Sequence, residues 1–224
     1  MDCLNPAEHL TIHGETLRPL PERALLWPAQ RALLIADAHF GKAATFRRLG
    51  VAVPEQTTIE NLATLSRLVV AHSVPQLIFL GDFLHARAAH NPHTIGALHA
   101  WREAHANLRM ALVRGNHDDK AGDPPASLRR EMLEEPYQMG IFSLCHHPQQ
   151  VTGSYVLSGH LHPAIRLGDR IGSVRLPCFW FGQDRAVLPA FGAFTGAHVV
   201  RPAAGDTVFA IAEERVFQVP VGRA

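Results

Sequence analysis

Short apolar runs, each closed by glycine, proline or polar residues, recur along most of the chain. Leu10-Thr11-Ile12-His13, Ala24-Leu25-Leu26-Trp27 and Ala32-Leu33-Leu34-Ile35-Ala36 read as strands in the first forty residues. Leu77-Ile78-Phe79-Leu80, Met110-Ala111-Leu112-Val113, Ile141 to Cys145 and Tyr155 to Ser158 continue the series. Between them the period changes. Phe40 to Leu49 predicts a short helix, and Pro54-Glu55 opens a longer one with Ile59, Leu62, Leu65, Leu68 and Val69 on one buried stripe. Thr94 to Ala106 predicts another, with Ile95, Leu98, Trp101 and His105 on one face, and Ser127 to Leu133 a short fourth. Alternating strands and helices in the first half argue for a layered α/β domain. The later runs, Val174 to Leu176, Ala186 to Leu188, Val208 to Ile211 and Val216 to Val219, are expected to complete a second sheet within one domain spanning 1–224.

The strand ends share a feature. Each of five stops at a polar turn bearing Asp, Asn or His: Asp37-Ala38-His39, Gly81-Asp82, Gly115-Asn116-His117-Asp118, His146-His147 and Gly159-His160-Leu161-His162. Side chains two apart on an extended segment point the same way, so Asp37 and His39 converge, as do His160 and His162. Open α/β sheets place their ligands at such carboxyl ends. Taken singly each turn has a structural reading, since Gly, Asn and Asp suit tight turns. Five in order place their side chains on one rim. His99 and His105, with no acidic neighbour, read as packing or surface residues.

Composition narrows the class. A chain of 224 residues with 47% hydrophobic and 18% charged residues can bury a large core, and no apolar run approaches the roughly 18–20 residues of a membrane helix. The acidic, proline-broken start Met1-Asp2-Cys3-Leu4-Asn5-Pro6 lacks the pattern of a secretory signal, so a cytoplasmic address is expected. Three cysteines, Cys3, Cys145 and Cys178, without finger spacing fit reduced structural thiols. A net charge of +1 gives no global attraction for a polyanion, leaving that to local clusters or bound metal. Fifteen histidines are an excess whose spacing gives it meaning.

Asp37, His39, Asp82, Asn116, His146, His160 and His162 form an oxygen and nitrogen donor set without thiolate, suited to manganese, iron or zinc. Seven donors exceed one four-coordinate ion, so two divalent metals are expected, with Asp82 as the bridge, able to clamp a phosphoryl group and convert water to hydroxide. His117 stands beside a ligand and is free to protonate a leaving oxygen, with Asp118 to orient it. Arg47 and Arg48 are cations that can hold a phosphate or form a solvated face.

The ordered motifs, Asp-x-His, Gly-Asp, Gly-Asn-His-Asp, His and Gly-His-x-His, resemble the calcineurin-like metallophosphoesterases over about residues 30–165. The resemblance implies a four-layered α-β-β-α sandwich of two mixed β-sheets flanked by helices. It implies one metal on Asp37, His39, Asp82 and His162, a second on Asp82, Asn116, His146 and His160, and His117 as the catalytic histidine. His146 is preferred to His147 because it directly follows its strand. Phosphoprotein phosphatases carry Asp and Arg where this chain has His85 and Ala86, with Arg87 one step late. That departure argues against a protein phosphatase and leaves Arg47, His85 and Arg87 as expected substrate contacts. Asp37-Ala38-His39-Phe40-Gly41-Lys42, Leu176-Pro177-Cys178-Phe179-Trp180 and Leu188 to Gly196 are similar to the bacterial ligase-associated DNA damage response endonucleases, the PdeM family. That likeness implies a manganese-dependent phosphodiesterase and endonuclease acting on single-stranded or structured DNA in repair, in association with a DNA ligase, an exonuclease and a helicase. The alternative is a phosphomonoesterase or nucleotide phosphatase on the same centre.

Overall fold

In the computed structural model, which describes residues 9–48, 50–51, 56–168, 172–193 and 195–221, the apolar runs form two sheets packed face to face. The first contains, in spatial order, β1 (Leu10–Ile12), β2 (Glu15–Pro19), β3 (Ala24–Trp27), β4 (Ala32–Ala36), β5 (Gln76–Leu80), β6 (Arg109–Val113) and β7 (Glu131–Leu133). Its first four strands pair antiparallel and β4 to β7 pair parallel. The second contains β8 (Tyr137–Met139), β9 (Phe142–Leu144), β10 (Tyr155–Ser158), β11 (Pro163–Gly168), β12 (Ser173–Phe181), β13 (Arg185–Val187), β14 (His198–Val199), β15 (Thr207–Ala212) and β16 (Arg215–Val219). Its order is β14-β11-β12-β13-β10-β9-β8, with β15 paired to β12 and β16 to β15. Parallel pairs β9–β10 and β10–β13 beside antiparallel β12–β13 make it mixed.

Every residue of β3 and β4 is buried, because each strand has an apolar layer on both faces. Alternation divides them. Leu33 and Ile35 join Phe79, Leu112 and the helices α2 (Thr57–His72) and α3 (Pro92–Ala104), while Ala32, Leu34 and Ala36 pack with Leu80, Phe142, Leu157 and Phe179 between the sheets. The α/β class, two mixed sheets and flanking helices follow the expectation. A third cluster, Cys178, Val200, Val208, Ala210 and Val219, covers the far face of the second sheet and is built of strand and loop residues.

Some expectations need correction. Ser127 to Leu133 is not a helix: a single 3₁₀ turn at Ala126–Leu128 ends in the left-handed Arg129, and Glu131–Leu133 joins β6 as a strand. Ile59, assigned to the buried stripe of α2, is 48% exposed, whereas Leu62, Leu65 and Leu68 are buried. His13 does not extend β1: it and Gly14 both have positive φ and form the two-residue loop between Ile12 and Glu15. The segment after Gly115 is a short helix, α4 (Asn116–Ala121), in place of an open turn. Leu49, Pro54 and Glu55, Phe194 and Cys3 lie outside the described residues. No helix among the described residues is long and apolar enough to cross a membrane.

Candidate metal centre

The parallel strands β4, β5 and β6 run side by side in register, so their carboxyl ends stop level and their connecting turns are neighbours. Backbone hydrogen bonds lace those turns together: His39 N–H donates to Asp82 O (2.9 Å) and Phe40 N–H to Phe83 O (2.8 Å). The second sheet meets the same rim where Ala36 bridges Ala190 and where His160 N–H donates to Asp37 Oδ2 (2.9 Å). Asp37, His39, Asp82, His160 and His162 all adopt positive φ, between 46° and 71°. A non-glycine residue in that region costs about 1–3 kcal/mol, and five together mark a rim whose side-chain directions are bought with backbone strain.

Glycines make the approach of these turns feasible. A Cβ at Gly81 would lie 2.0 Å from His146 Nδ1, one at Gly115 2.5 Å from Asp82 Oδ1, and one at Gly159 2.7 Å from Asp37 Oδ2. The motif glycines are therefore spaces into which the neighbouring functional groups fit.

Three histidines share one orienting device. His146 Nδ1–H donates to Leu80 O (3.1 Å), His117 Nδ1–H to His85 O (2.7 Å) and His162 Nδ1–H to Gly196 O (3.1 Å). A carbonyl accepts only, so each contact assigns the proton to Nδ1 and leaves Nε2 with a lone pair facing inward. His146 Nε2 lies 2.9 Å from Asn116 Oδ1, 3.0 Å from His160 Nδ1 and 3.5 Å from Asp82 Oδ1. His162 Nε2 and Asp37 Oδ1, 3.5 Å apart, are both buried and both lack a hydrogen-bond partner. Buried polar atoms are rarely left unmatched, and two inward-facing acceptors together call for a cation between them.

Groups of three ligand atoms within 4.8 Å of one another form around Asp37, His39 and His162, around Asp37, Asp82 and His146, and around His146, His147 and His160. Asp82 joins the two sides, with Oδ2 3.8 Å from His39 Nε2 and Oδ1 facing His146. The donor set fits divalent cations of the manganese, iron and zinc kind. Charges agree with that fit. Burial, with Lys42 as a lesser cause, pushes His39 down to about 2, and burial lowers His146 and His160, which favours the neutral form of these rings, the form in which an imidazole nitrogen can ligate a cation. Burial also raises Asp82, a cost that bound cations would reverse.

The seven expected metal ligands thus come together on one rim, and His117 joins them with its side chain 34% exposed and Nε2 3.9 Å from Asp82 Oδ2. Asp118 does not orient it. Asp118 is fully buried, its Oδ1 accepting from Phe83 N–H (2.9 Å) and Leu84 N–H (3.3 Å) and its Oδ2 from Gly115 N–H (3.0 Å). It is a positioning residue that ties the Asp82 turn to the Asn116 turn, and burial pushes its carboxyl up to about 6. Orientation of His117 falls to the His85 carbonyl, and the His85 ring stacks on it at 5.0 Å. Burial lowers His85 to about 4, and its Nδ1 lies 3.4 Å from His39 Nδ1. Arg47 is exposed on α1 (Lys42–Arg48), and Arg87 is exposed with Nε–H donating to Lys120 O (3.4 Å).

Glu135 was invisible in the sequence. Its Oε2 accepts from His146 N–H (2.6 Å) and His147 N–H (3.1 Å), and its Oε1 faces His147 Nδ1 (2.8 Å). Those bonds turn His147 toward Glu135 while His146 faces Asn116 and Asp82, and no local motif announces a carboxylate eleven residues upstream.

Among solved structures the chain is similar to the nuclease MPE of Pseudomonas putida, with 43% identity, a TM-score of 0.85, and 96% of this chain and 100% of that chain covered. It is more distantly similar to the phosphoesterase Yfce of E. coli, with 13% identity, a TM-score of 0.45, and 85% and 99% of the two chains covered. No protein-family profile and no curated protein matches the chain.

Proposed function

This chain belongs to the metallophosphoesterases, in the family of the Pseudomonas putida nuclease MPE, and on that premise we propose that it is a dinuclear-metal phosphodiesterase that cuts DNA. The observation that carries the reading is the pair of orphaned, buried acceptors Asp37 Oδ1 and His162 Nε2, set beside His39 and facing the Asp82 bridge. Asp37, His39, Asp82 and His162 would hold one ion, and Asp82, Asn116, His146 and His160 the other. Manganese fits the family, and iron and zinc suit the donors equally. The ions would supply positive charge to polarise a phosphoryl group and acidify water.

The chain's own groups do the rest. His117 Nε2 faces the centre from its exposed side while Nδ1–H is held on His85 O; as the doubly protonated ring it would give its Nε2 proton to the departing oxygen and return to the Nδ1–H form. The His85 ring packs on it and limits its rotation. Asp118 and Glu135 fix the turns that carry Asn116 and His146. The cytoplasmic address, which the free thiols Cys145 and Cys178 favour, and the repair setting beside a ligase, an exonuclease and a helicase, which the family resemblance implies, belong to the same proposal.

The test is a panel of a chromogenic phosphodiester, the matching monoester and single-stranded DNA, assayed with manganese, iron, zinc and no metal. Metal-dependent cleavage of the diester and the DNA is expected. Faster release of phosphate from the monoester would reassign the chain to the phosphomonoesterases.

A further inference from the structure

Beyond His162 the surface opens into a cleft of about 190 Å³ whose walls include Arg23, Ala164, Arg175, Pro177 and Thr195. Ala164 and Pro177 are opposite one another across β11 and β12, and the next pair on the same face is Arg166 opposite Arg175. The intervening residues Ile165, Leu167 and Leu176 point the other way, into the outer apolar cluster. Both arginines are exposed, and among the described residues neither has a hydrogen-bond or ion-pair partner. Like charges directly opposite on a sheet repel, so this pairing works against the free protein. Across the cleft Arg23 is spent on structure, donating from Nη1 to Ala190 O (3.3 Å), yet its charge is likewise unmatched by a carboxylate among the described residues. A chain of net charge +1 thus concentrates, among its described residues, three arginines without a carboxylate partner beside His162.

We propose that Arg166 and Arg175, backed by Arg23, form a cationic track that carries the phosphates of a single DNA strand away from the metal centre and selects polymeric over small diesters. The proposal rests on the DNA-directed reading of the site. The track is one hairpin wide, with strands about 4.8 Å apart, a width that meets a single phosphate backbone. Among the described residues no Phe, Tyr or Trp lines the cleft for base stacking, so the contacts they offer a strand are electrostatic and tolerant of sequence.

The test compares the manganese-loaded protein with the double variant R166A/R175A, using a single-stranded oligonucleotide and a chromogenic diester from 50 to 200 mM salt. The ratio of oligonucleotide to diester kcat/KM should fall at least tenfold. The slope of log kcat/KM for the oligonucleotide against log salt should flatten by about 1.4, for two lost phosphate contacts. R166K/R175K should keep most of the slope, and relief of the repulsion should leave the alanine variant melting at or above the wild-type temperature. The double variant R109A/R129A, in the larger cleft of about 520 Å³ at the opposite end of β6, serves as a charge-matched control and should change neither the ratio nor the slope. Wild-type ratio and slope in R166A/R175A would overturn the track while leaving DNA cleavage intact. A wild-type protein that cleaves the diester but not the oligonucleotide would remove the DNA reading and the track together.

Discussion

Replacing Gly81 by alanine probes how closely the two sheets are fitted at the metal centre. Gly81 has φ +80°, and a Cβ there would stand 2.0 Å from His146 Nδ1, 2.4 Å from its Cγ and 2.8 Å from its Cβ. Ordinary contact begins near 3.4 Å, so the ring must retreat by about 1.4 Å. Rotation about χ1 does not free it, because the His146 Cβ is also too close and the residue's N–H is held by Glu135. A displacement of about 1 Å at a reacting centre costs roughly a hundredfold in rate, so kcat on a chromogenic diester should fall at least that far. Loss of the His146 contacts with Asn116 and Asp82 should also lower the metal retained after desalting. The left-handed backbone adds about 1–2 kcal/mol of instability, and crowding adds about 1–3 kcal/mol more. Gly14→Ala isolates the backbone contribution: φ is +87° there, but nothing lies within 4 Å of the new Cβ. That variant should lose only the backbone energy, a few degrees in Tm, and keep full turnover. Equal turnover in Gly81→Ala and wild type, or an equal loss in Gly14→Ala, would refute the steric account.

Three further outcomes are expected. His117→Ala should lower turnover about a hundredfold or more while metal analysis finds the wild-type content, since its Nε2 is assigned to proton transfer; wild-type turnover would remove it from the mechanism. Asp82→Asn should weaken metal retention because the carboxylate that faces His39 with one oxygen and His146 with the other loses its charge, and two ions still held tightly would place the bridge elsewhere. Burial pushes the Cys178 thiol up to about 12 from 9.0, so above pH 9 the unfolded chain releases a proton that the folded chain keeps, and stability falls as pH rises. One such group contributes a slope of about 1.4 kcal/mol per pH unit. Urea midpoints of Cys178→Ala between pH 8 and 10 should decline less steeply than those of the wild type, and identical slopes would refute the assignment.

The strands around the centre were legible because each is a short apolar run stopped by glycine or by the Asp, Asn or His that follows it, as in Leu77 to Asp82. Period and composition reached Leu62, Leu65 and Leu68 correctly but overextended to Ile59, because the inward position one turn before Leu62 is taken by the buried Thr58. Glu15–Pro19, with Thr16 and Arg18 among its residues, and Tyr137–Met139 lack an apolar run, and their strand character comes from neighbours that supply hydrogen bonds. Ser127 to Leu133 read as helical on local propensity, but β6 offered Glu131–Leu133 an edge to pair with. Within the site, Asp118 looked catalytic because it follows His117; its neighbours in space are three backbone N–H groups. Sequence adjacency identified the residues in the turn, and only the packing of one turn on another assigned their tasks.

The contact between His160 N–H and Asp37 Oδ2 joins residues 123 positions apart. Strand β5, which leads into Asp82, and the segments beyond residue 140 must both be in place before the donors proposed for either ion are complete. Closing so long a loop is slow and late in folding. A chain emerging during synthesis, or opened later by heat or proteolysis, therefore passes through no stage in which half a centre could attack a phosphodiester. Hydrolytic capacity appears together with the finished fold and disappears with it, which makes activity itself a sensitive gauge of native structure.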